Sequence, residues 1–205
     1  PIDAAQAPEQ RALCDSLSVH PQMITIHSVP GAFSLAECDA IVAISRAAEA
    51  KDAKLVGQNK DHDIRRADLV WLDDVEGTGW VMERIIEVVR EANREVFDFA
   101  LTEFAESPQV ARYGGERKGH FDWHSDIGEG VIARQRKLTM VAQLSDPGDY
   151  EGGALEVWPS NAVLTAPRDR GTLTFFPSYL LHRVTPVVSG ERFSLTQWAH
   201  GPSFR

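Results

Sequence analysis

The sequence predicts an α+β protein that is mainly β, with a jelly-roll sandwich or barrel behind a set of N-terminal helices. Two observations predict it. Apolar residues recur at helical spacing in two segments before residue 97, whereas short strand-like runs separated by Gly, Pro and Asp turns follow Pro108. Because 205 residues suit one domain, we expect an N-terminal arm (1–22), a helical support (23–107) and a jelly-roll core (108–205).

The composition limits the cellular locations and the classes of binding partner that we expect for this protein. A net charge of −9 leaves no continuous basic face for nucleic acid. No apolar run reaches membrane-spanning length, and no signal-peptide pattern opens the sequence. Cys14 and Cys38 are typical of free thiols in a reducing compartment rather than of a disulfide framework. We therefore expect a cytoplasmic protein that binds neither nucleic acid nor membrane.

The N-terminal half carries one predicted strand and two predicted helices. Met23–Val29 alternates well enough for a strand. Ser34 and Glu37 have the spacing of a capping box, in front of a helix over about 35–50. Apolar residues at helical spacing then predict an amphipathic helix over about 78–96.

A long polar stretch, Lys51–Ala67, lies between these helices and precedes a short strand at Leu69–Leu72. Long loops in compact domains are frequently lids or binding elements. Arg65 and Arg66 therefore either flank the mouth of a site, together with the loop-like segment Ile127–Arg136, or are solvated surface residues.

The C-terminal half alternates strands with turns, which is typical of a jelly roll. Ser189-Gly190-Glu191 is typical of a hairpin turn that leads into the last strand. The predicted strands are Gln109–Tyr113, Lys137–Ser145, Ala154–Trp158, Gly171–Phe176, Leu180–Val184 and Arg192–Ala199.

Residues 119–126 place two imidazoles and two carboxylates within seven positions, a density typical of a divalent metal site. Side chains two residues apart on a strand share a face, so His124 and Asp126 can bind one ion. His120 and Asp122 have the same spacing and are a second candidate pair. A helical zinc pair of His120 and His124 is a third alternative, which the helix propensities of this stretch disfavour.

His182, in a later predicted strand, supplies the third ligand. Two imidazoles and one carboxylate leave three sites of an octahedron open, and this is the facial triad of non-haem Fe(II) oxygenases. We therefore expect His124, Asp126 and His182 to be the metal ligands and the catalytic residues. The remaining histidines have no partner at a recognisable spacing and are expected to be ordinary surface or core residues: His20, His27, His62 and His200.

A polar row on the last strand predicts the binding site of an anion. Arg192, Ser194, Thr196 and Trp198 share one strand face, and such a row is costly in a dry core. The planar guanidinium of Arg192 suits bidentate recognition of a carboxylate. Ser194 can donate a hydroxyl to the same group.

Together these residues resemble the H-x-D…H…R pattern of the Fe(II)/2-oxoglutarate-dependent oxygenases. The surrounding motifs narrow the resemblance to the prolyl 4-hydroxylase-like (PKHD-type) group, and it is most specific over 113–199. The matching motifs are Tyr113-Gly114-Gly115, Phe121-Asp122-Trp123, Arg136-Lys137-Leu138-Thr139, Gln143-Leu144-Ser145, Tyr150-Glu151-Gly152-Gly153, Phe176-Pro177-Ser178, His182-Arg183-Val184-Thr185-Pro186-Val187 and Gly190-Glu191-Arg192-Phe193-Ser194-Leu195.

The resemblance implies a double-stranded β-helix fold, with Fe(II), 2-oxoglutarate, O2 and often ascorbate as reductant. It implies that Arg192, Ser194 and Tyr113 bind the distal carboxylate of 2-oxoglutarate. It also implies a dioxygenase that hydroxylates an unactivated C–H bond and releases succinate and CO2. Its substrate is then a prolyl or peptidyl group, a free amino acid or another small molecule.

Two alternatives stay open at the level of sequence. One is a non-redox cupin-like metal protein, in which Zn or Mn serves a hydrolase, an isomerase or a binding module. The other is a sensor domain that has the fold but no turnover, which the complete triad with Arg192 disfavours. A homodimer through a sheet edge or a helix is compatible with the sequence.

Overall fold

The computed structural model describes residues 26–48, 51–52 and 64–204. Two helices, α1 (Leu35–Ala47) and α2 (Gly79–Ala92), lie before residue 108, as predicted. The predicted capping box is present: the Ser34 hydroxyl accepts a hydrogen bond from the Glu37 amide, and the Glu37 carboxylate accepts one from the Ser34 amide. These two bonds satisfy amides that the helix leaves unpaired.

Helix α2 is amphipathic and buries its apolar stripe. Val81, Ile85, Val89 and Ala92, at helical spacing, are all buried. The predicted end near residue 96 is reached through a π-helical turn, Asn93–Phe97, which is capped by Asp98 in the left-handed conformation.

Thirteen strands occur in the described residues, and all their pairings are antiparallel. In chain order they are β1 (His27–Val29), β2 (Lys51–Asp52), β3 (Arg65–Arg66), β4 (Asp68–Trp71), β5 (Gln109–Gly114), β6 (His120–His124), β7 (Arg136–Gln143), β8 (Tyr150–Gly152), β9 (Leu155–Trp158), β10 (Leu164–Thr165), β11 (Leu173–Pro177), β12 (Leu181–Val184) and β13 (Val187–His200).

The strands form two sheets. The larger has the order β1-β11-β7-β13-β5-β4-β2, and β8 pairs with β13 beside this path. The smaller has the order β10-β9-β12-β6-β3. The prediction of a mainly β protein with N-terminal helices is therefore confirmed. Four strands that precede residue 108, β1 to β4, also join the sheets. The N-terminal region therefore contributes strands as well as helices to the fold.

The main core lies between the helices and the larger sheet. The buried residues of α1 and α2 pack there against alternate residues of β7, β11 and β13. Examples are Ile41, Ile85, Leu138, Met140, Phe175 and Leu195, each at most 1% exposed. The opposite face of the same strands is thereby directed at the smaller sheet.

The last strand differs from the prediction. Residues 189–191 do not form a hairpin turn, because β13 runs without interruption from Val187 to His200. Its first part pairs with β8 through a β-bulge between Val187 and Ser189, and its second part pairs with β5 and β7. Gly190 has a φ of +73° and lets the bulged strand pass close to Asp149.

Several predictions concern residues outside the described ranges: the N-terminal arm, Cys14, His20, His62 and most of the 51–67 stretch. Within the described ranges, Cys38 is a free, buried thiol. None of the described helices is long and apolar enough to cross a membrane.

Candidate metal centre

Three side chains converge between the two sheets. Nε2 of His124 lies 3.8 Å from Oδ1 of Asp126, and Nε2 of His182 lies 3.5 Å from Oδ2 of the same carboxylate. Two metal–ligand bonds of about 2.0–2.2 Å can span either separation. Within the described residues, this is the one group of three His, Cys, Asp or Glu side chains that could hold a metal ion.

Strand pairing brings the two histidines together. His124 ends β6, His182 lies in β12, and the two residues face each other in the ladder between these strands. The chain then leaves β6, and the amide of Asp126 donates a hydrogen bond to the carbonyl of Ser178 at 3.0 Å. The three residues therefore converge although Asp126 and His182 are 56 positions apart along the chain.

The imidazoles are held in the tautomer that a metal ligand needs. Nδ1 of His124 lies 2.7 Å from the carbonyl oxygen of Asp122, and Nδ1 of His182 lies 3.0 Å from that of Leu180. Since a carbonyl only accepts, each Nδ1 carries the proton and donates it. Each Nε2 therefore presents its lone pair to the centre of the group.

The carboxylate of Asp126 is fixed from behind. The hydroxyl of Thr139 donates a 2.7 Å hydrogen bond to Oδ2, and the hydroxyl of Ser178 lies 2.9 Å from that of Thr139. A guanidinium nitrogen of Arg136 donates to the backbone carbonyl of Asp126 at 3.0 Å, while Arg136 itself is paired with Glu106. These bonds restrict both the backbone and the side chain of Asp126.

The protonation states of these side chains favour the binding of a cation. Burial lowers the pKa of His124 to about 3, and the neighbouring His182 adds to the effect, so His124 is neutral at physiological pH. Burial raises the pKa of Asp126, but His182, His124 and Arg136 outweigh it and hold this pKa at about 2. Asp126 is therefore a carboxylate.

The group opens into a pocket between the sheets. Val141, Leu155 and Val184 are among its apolar walls, and Phe121 stacks on the His124 imidazole with ring centroids 3.4 Å apart. Ser194, Thr196 and Trp198 of β13 also line this pocket, as strand alternation predicts. The polar lining residues are Arg65, Gln109, Tyr113, Ser194 and Thr196.

Arg192 lines a small neighbouring cavity, and Val141 and Leu155 line both spaces. Its side chain is 2% exposed, and its Nε has no hydrogen-bond partner. Its terminal nitrogen donates to the Ser194 hydroxyl at 3.4 Å, and its guanidinium carbon lies 5.5 Å from the Tyr113 ring centroid. Burial lowers the pKa of Arg192. No carboxylate of the described residues pairs with this buried guanidinium, which is therefore suited to an anionic ligand.

The structure brings together most of the site residues that the sequence predicts. His124, Asp126 and His182 form a group that could hold a metal ion, and Tyr113 and Ser194 line its pocket. His120 and Asp122 lie outside the group: Nδ1 of His120 is 2.8 Å from the Lys118 carbonyl, and Asp122 is exposed. His200 is a buried core residue, and its Nε2 lies 3.0 Å from the Glu106 carboxylate.

Other residues of the site were not predicted from the sequence. Gln109 lines the metal pocket, and Thr139 holds Asp126. Tyr150 lies in the Arg192 cavity, where its hydroxyl accepts hydrogen bonds from Gln143 at 2.6 Å and Arg168 at 3.4 Å. Strand alternation could have indicated Thr139, two residues from Val141, but no local pattern marks Arg168.

The donor set fits Fe(II). Two neutral imidazoles and one carboxylate match the facial triad of non-haem iron sites, and both Nε2 atoms face the carboxylate. All three side chains line one pocket between the sheets.

Comparisons with known proteins agree with this geometry. Residues 108–200 match the model of the 2OG-Fe(II) oxygenase superfamily. A PKHD-type hydroxylase of Sphingopyxis alaskensis is 32% identical over 118 residues, which are 54% of this chain and 52% of that protein. One of Hyphomonas neptunium is 38% identical over 72 residues, 35% of this chain and 32% of that protein. The chain thus spans about half or less of the length of these relatives.

Solved structures share the fold over a larger part of the chain. A Trichoplax adhaerens prolyl hydroxylase, solved with a peptide fragment of the hypoxia inducible factor oxygen degradation domain, has a TM-score of 0.71 and 17% identity, over 97% of this chain and 93% of that one. A Pseudomonas putida prolyl-4-hydroxylase has a TM-score of 0.68 and 21% identity, over 94% and 98%.

Proposed function

We propose that this chain, whose residues 108–200 match the 2OG-Fe(II) oxygenase superfamily, is an Fe(II)- and 2-oxoglutarate-dependent dioxygenase that hydroxylates an unactivated C–H bond. The products from the co-substrate are succinate and CO2. The observation that carries the proposal is the position of the His124, Asp126 and His182 group in one pocket with Tyr113 and Ser194, beside the buried Arg192.

His124, Asp126 and His182 would hold Fe(II) through two Nε2 atoms and a carboxylate. Fe(II), when bound, supplies the redox chemistry that activates O2 and drives decarboxylation of 2-oxoglutarate. The protein binds and orients the reactants around it. Thr139 fixes the carboxylate of Asp126, and the backbone carbonyls of Asp122 and Leu180 fix the two imidazoles.

Arg192 would bind the distal carboxylate of 2-oxoglutarate, with Ser194 and Tyr113 as hydroxyl partners. Each of these groups can donate to an anion, and Arg192 has a free buried Nε–H. The apolar side chains of Val141, Leu155 and Val184 line the pocket, and an apolar lining strengthens electrostatic interactions inside it.

We further infer that the two antiparallel sheets are the halves of a double-stranded β-helix, or jelly roll, and that 1–205 acts as one oxygenase domain. The similarity in fold to prolyl hydroxylases supports a prolyl, peptidyl or amino-acid-like substrate. Use of ascorbate as reductant, a cytoplasmic location and a homodimer stay predictions from the sequence.

The test uses the purified protein and its His182→Ala variant. Under anaerobic conditions, Fe(II) and 2-oxoglutarate together should give the wild-type protein a weak metal-to-ligand absorption band in the visible range. In the presence of O2 the wild-type protein should form succinate. His182→Ala should lose both signals, and a full-strength band in this variant would contradict the assignment.

A further inference from the structure

Arg65 places a guanidinium in the metal pocket itself, where the co-substrate does not require one. It lies in β3, opposite Phe121 of β6, and its guanidinium carbon is 4.5 Å from the Phe121 ring centroid. Phe121 in turn stacks on His124. The guanidinium is therefore separated from a metal-binding imidazole by a single aromatic ring.

The contacts of Arg65 leave its charge uncompensated. One terminal nitrogen donates to the side-chain oxygen of Gln109 at 2.5 Å, and Nε is buried without a hydrogen-bond partner. No carboxylate in the part of the chain that the structure describes pairs with it. By contrast, Arg112, on the other side of the larger sheet, contacts Asp68, Glu116 and Glu191. A half-buried cation whose contacts are a neutral amide and an aromatic ring favours an anionic ligand.

Polar side chains of the larger sheet surround Arg65 in the pocket. Gln109 is 3% exposed, and its oxygen fixes the guanidinium at the edge of the pocket. Thr196 faces Gln109 in the ladder between β5 and β13 and lines the same pocket. Arg65, Gln109 and Thr196 thus form a polar group that shares the pocket with the metal-binding residues, which we call the Arg65 site.

Under the proposed function, the two carboxylates of 2-oxoglutarate already have partners. One is bound with the metal, and the other is bound by Arg192, which lines the neighbouring cavity rather than the pocket of Arg65. The Arg65 site is therefore left for the primary substrate.

We propose that the Arg65 site binds a carboxylate of the primary substrate, so that the enzyme oxidises a carboxylic acid rather than an internal residue of a polypeptide. This inference rests on the proposed function. A free amino acid and the C-terminal residue of a peptide both carry such a carboxylate, and the test separates them.

The test is equilibrium binding to the wild-type protein loaded anaerobically with Fe(II) and 2-oxoglutarate, measured by isothermal titration calorimetry. The probes are two acid–amide pairs: L-proline with L-prolinamide, and the dipeptide glycyl-L-proline with its C-terminal amide. At least one acid should bind about tenfold or more tightly than its amide, since a charge-assisted hydrogen bond contributes roughly 1.5–3 kcal/mol. The pair that shows this preference identifies the source of the carboxylate.

Variants assign the preference to Arg65. Arg65→Gln should weaken binding of the preferred acid by about 10- to 100-fold, and Arg65→Lys, which keeps the charge, should weaken it less. Arg66→Gln is the matched control, because Arg66 is the next residue of β3 and bonds to the Arg117 carbonyl instead. It should bind the acid like the wild-type protein.

Three results overturn the proposal: no acid preferred tenfold over its amide, an Arg65→Gln variant that binds the acid like the wild-type protein, or an Arg65→Gln variant that loses the absorption band of the Fe(II)–2-oxoglutarate complex. The last result would assign Arg65 to the co-substrate. If the wild-type protein itself gives neither this band nor succinate, the proposed function fails as well.

Discussion

The hydroxyl of Thr139 donates a 2.7 Å hydrogen bond to Oδ2 of Asp126, and Thr139 is completely buried. This contact selects one orientation of the carboxylate, with Oδ1 and Oδ2 directed towards His124 and His182. Partners of this kind are usually important for metal affinity.

Thr139→Val should therefore reduce Fe(II) affinity by about 10- to 100-fold, because it removes the hydroxyl without changing the shape of the side chain. The measurement is an anaerobic Fe(II) titration. Thr139→Ser is the control, since it keeps the hydroxyl and should bind Fe(II) more tightly than Thr139→Val. Equal affinities of wild type and Thr139→Val would show that the contact does not support the site.

His124 and His120 distinguish the two metal-binding pairs that the sequence allows. His124→Ala should abolish the absorption band of the Fe(II)–2-oxoglutarate complex, because it removes one of three ligands. His120→Ala should keep the band, because His120 lies outside the group and contacts the Lys118 carbonyl. The reverse result would move the metal to His120 and Asp122.

Arg192→Met should raise the 2-oxoglutarate concentration that gives half-maximal succinate formation by about 30-fold or more, since losing one partner of a buried charge pair costs about 2–5 kcal/mol. Fe(II) affinity, measured by titration, should change far less. Arg192→Lys should fall between the wild-type protein and Arg192→Met, because it keeps the charge but not the planar fork. An unchanged 2-oxoglutarate requirement in Arg192→Met would exclude Arg192 from the co-substrate site.

The half-buried Glu106 should make stability depend on pH. Burial raises the pKa of Glu106, but hydrogen bonds from Arg136 and His200 outweigh it and lower this pKa below the usual 4.5. A lowered pKa in the folded state stabilises the fold above the unfolded-state pKa, and this contribution is lost as the pH falls through the folded-state value.

Glu106→Gln should accordingly lower the free energy of unfolding by about 3 kcal/mol at pH 7, because it leaves Arg136 buried without a carboxylate. The difference from the wild-type protein should shrink as the pH falls below about 4.5, the ordinary pKa of the glutamate side chain. Urea unfolding at several pH values measures both effects. Glu95→Gln, at an exposed ion pair with Arg94, is the control and should cost less than about 1 kcal/mol. A difference that stays constant down to pH 3 would contradict the linkage.

Gly190 offers a test of the bulged strand. Its φ is +73°, and a Cβ there would lie 1.9 Å from the carbonyl oxygen of Asp149. Gly190→Ala should therefore destabilise the protein by more than Gly31→Ala, where φ is +64° but no atom lies within 4 Å of the added Cβ. Gly31→Ala should cost about 1–2 kcal/mol from backbone conformation alone. Urea unfolding compares the two, and equal losses would mean that the close approach to Asp149 has no energetic effect.

The sequence predicted those features that depend on local spacing. The capping box at Ser34, the shared face of Arg192 and Ser194, and the H-x-D spacing of His124 and Asp126 each lie within a few residues of chain. Among the features that depend on which strands become neighbours, the meeting of His182 with His124 was predicted from the ligand set of a facial triad, whereas the contact between Gln109 and Arg65 was not predicted. Gln109 meets Arg65 only because β3 and β5 belong to sheets that face each other across the pocket.

The turn predicted at Ser189–Glu191 was wrong for a related reason. Ser-Gly-Glu is a common turn sequence, but here β8 supplies a pairing partner that keeps the segment extended. The positive φ of Gly190 follows the register shift between Val187 and Ser189 and lies within a continuous strand rather than in a reversal of the chain. Local turn propensity is overridden when a distant strand can satisfy the backbone hydrogen bonds.

Because β13 is continuous, its pairing with β5 and β7 decides which of its side chains line the two cavities. Arg192 faces Tyr113 in the ladder with β5, and Ser194 faces Gln143 in the ladder with β7. Inserting or deleting one residue after the bulge would exchange every inward side chain for its outward neighbour, so that Phe193 would replace Arg192 or Ser194. Length changes between 189 and 192 should therefore remove both binding groups at once, whereas length changes in the Ile127–Arg136 loop leave this alignment intact.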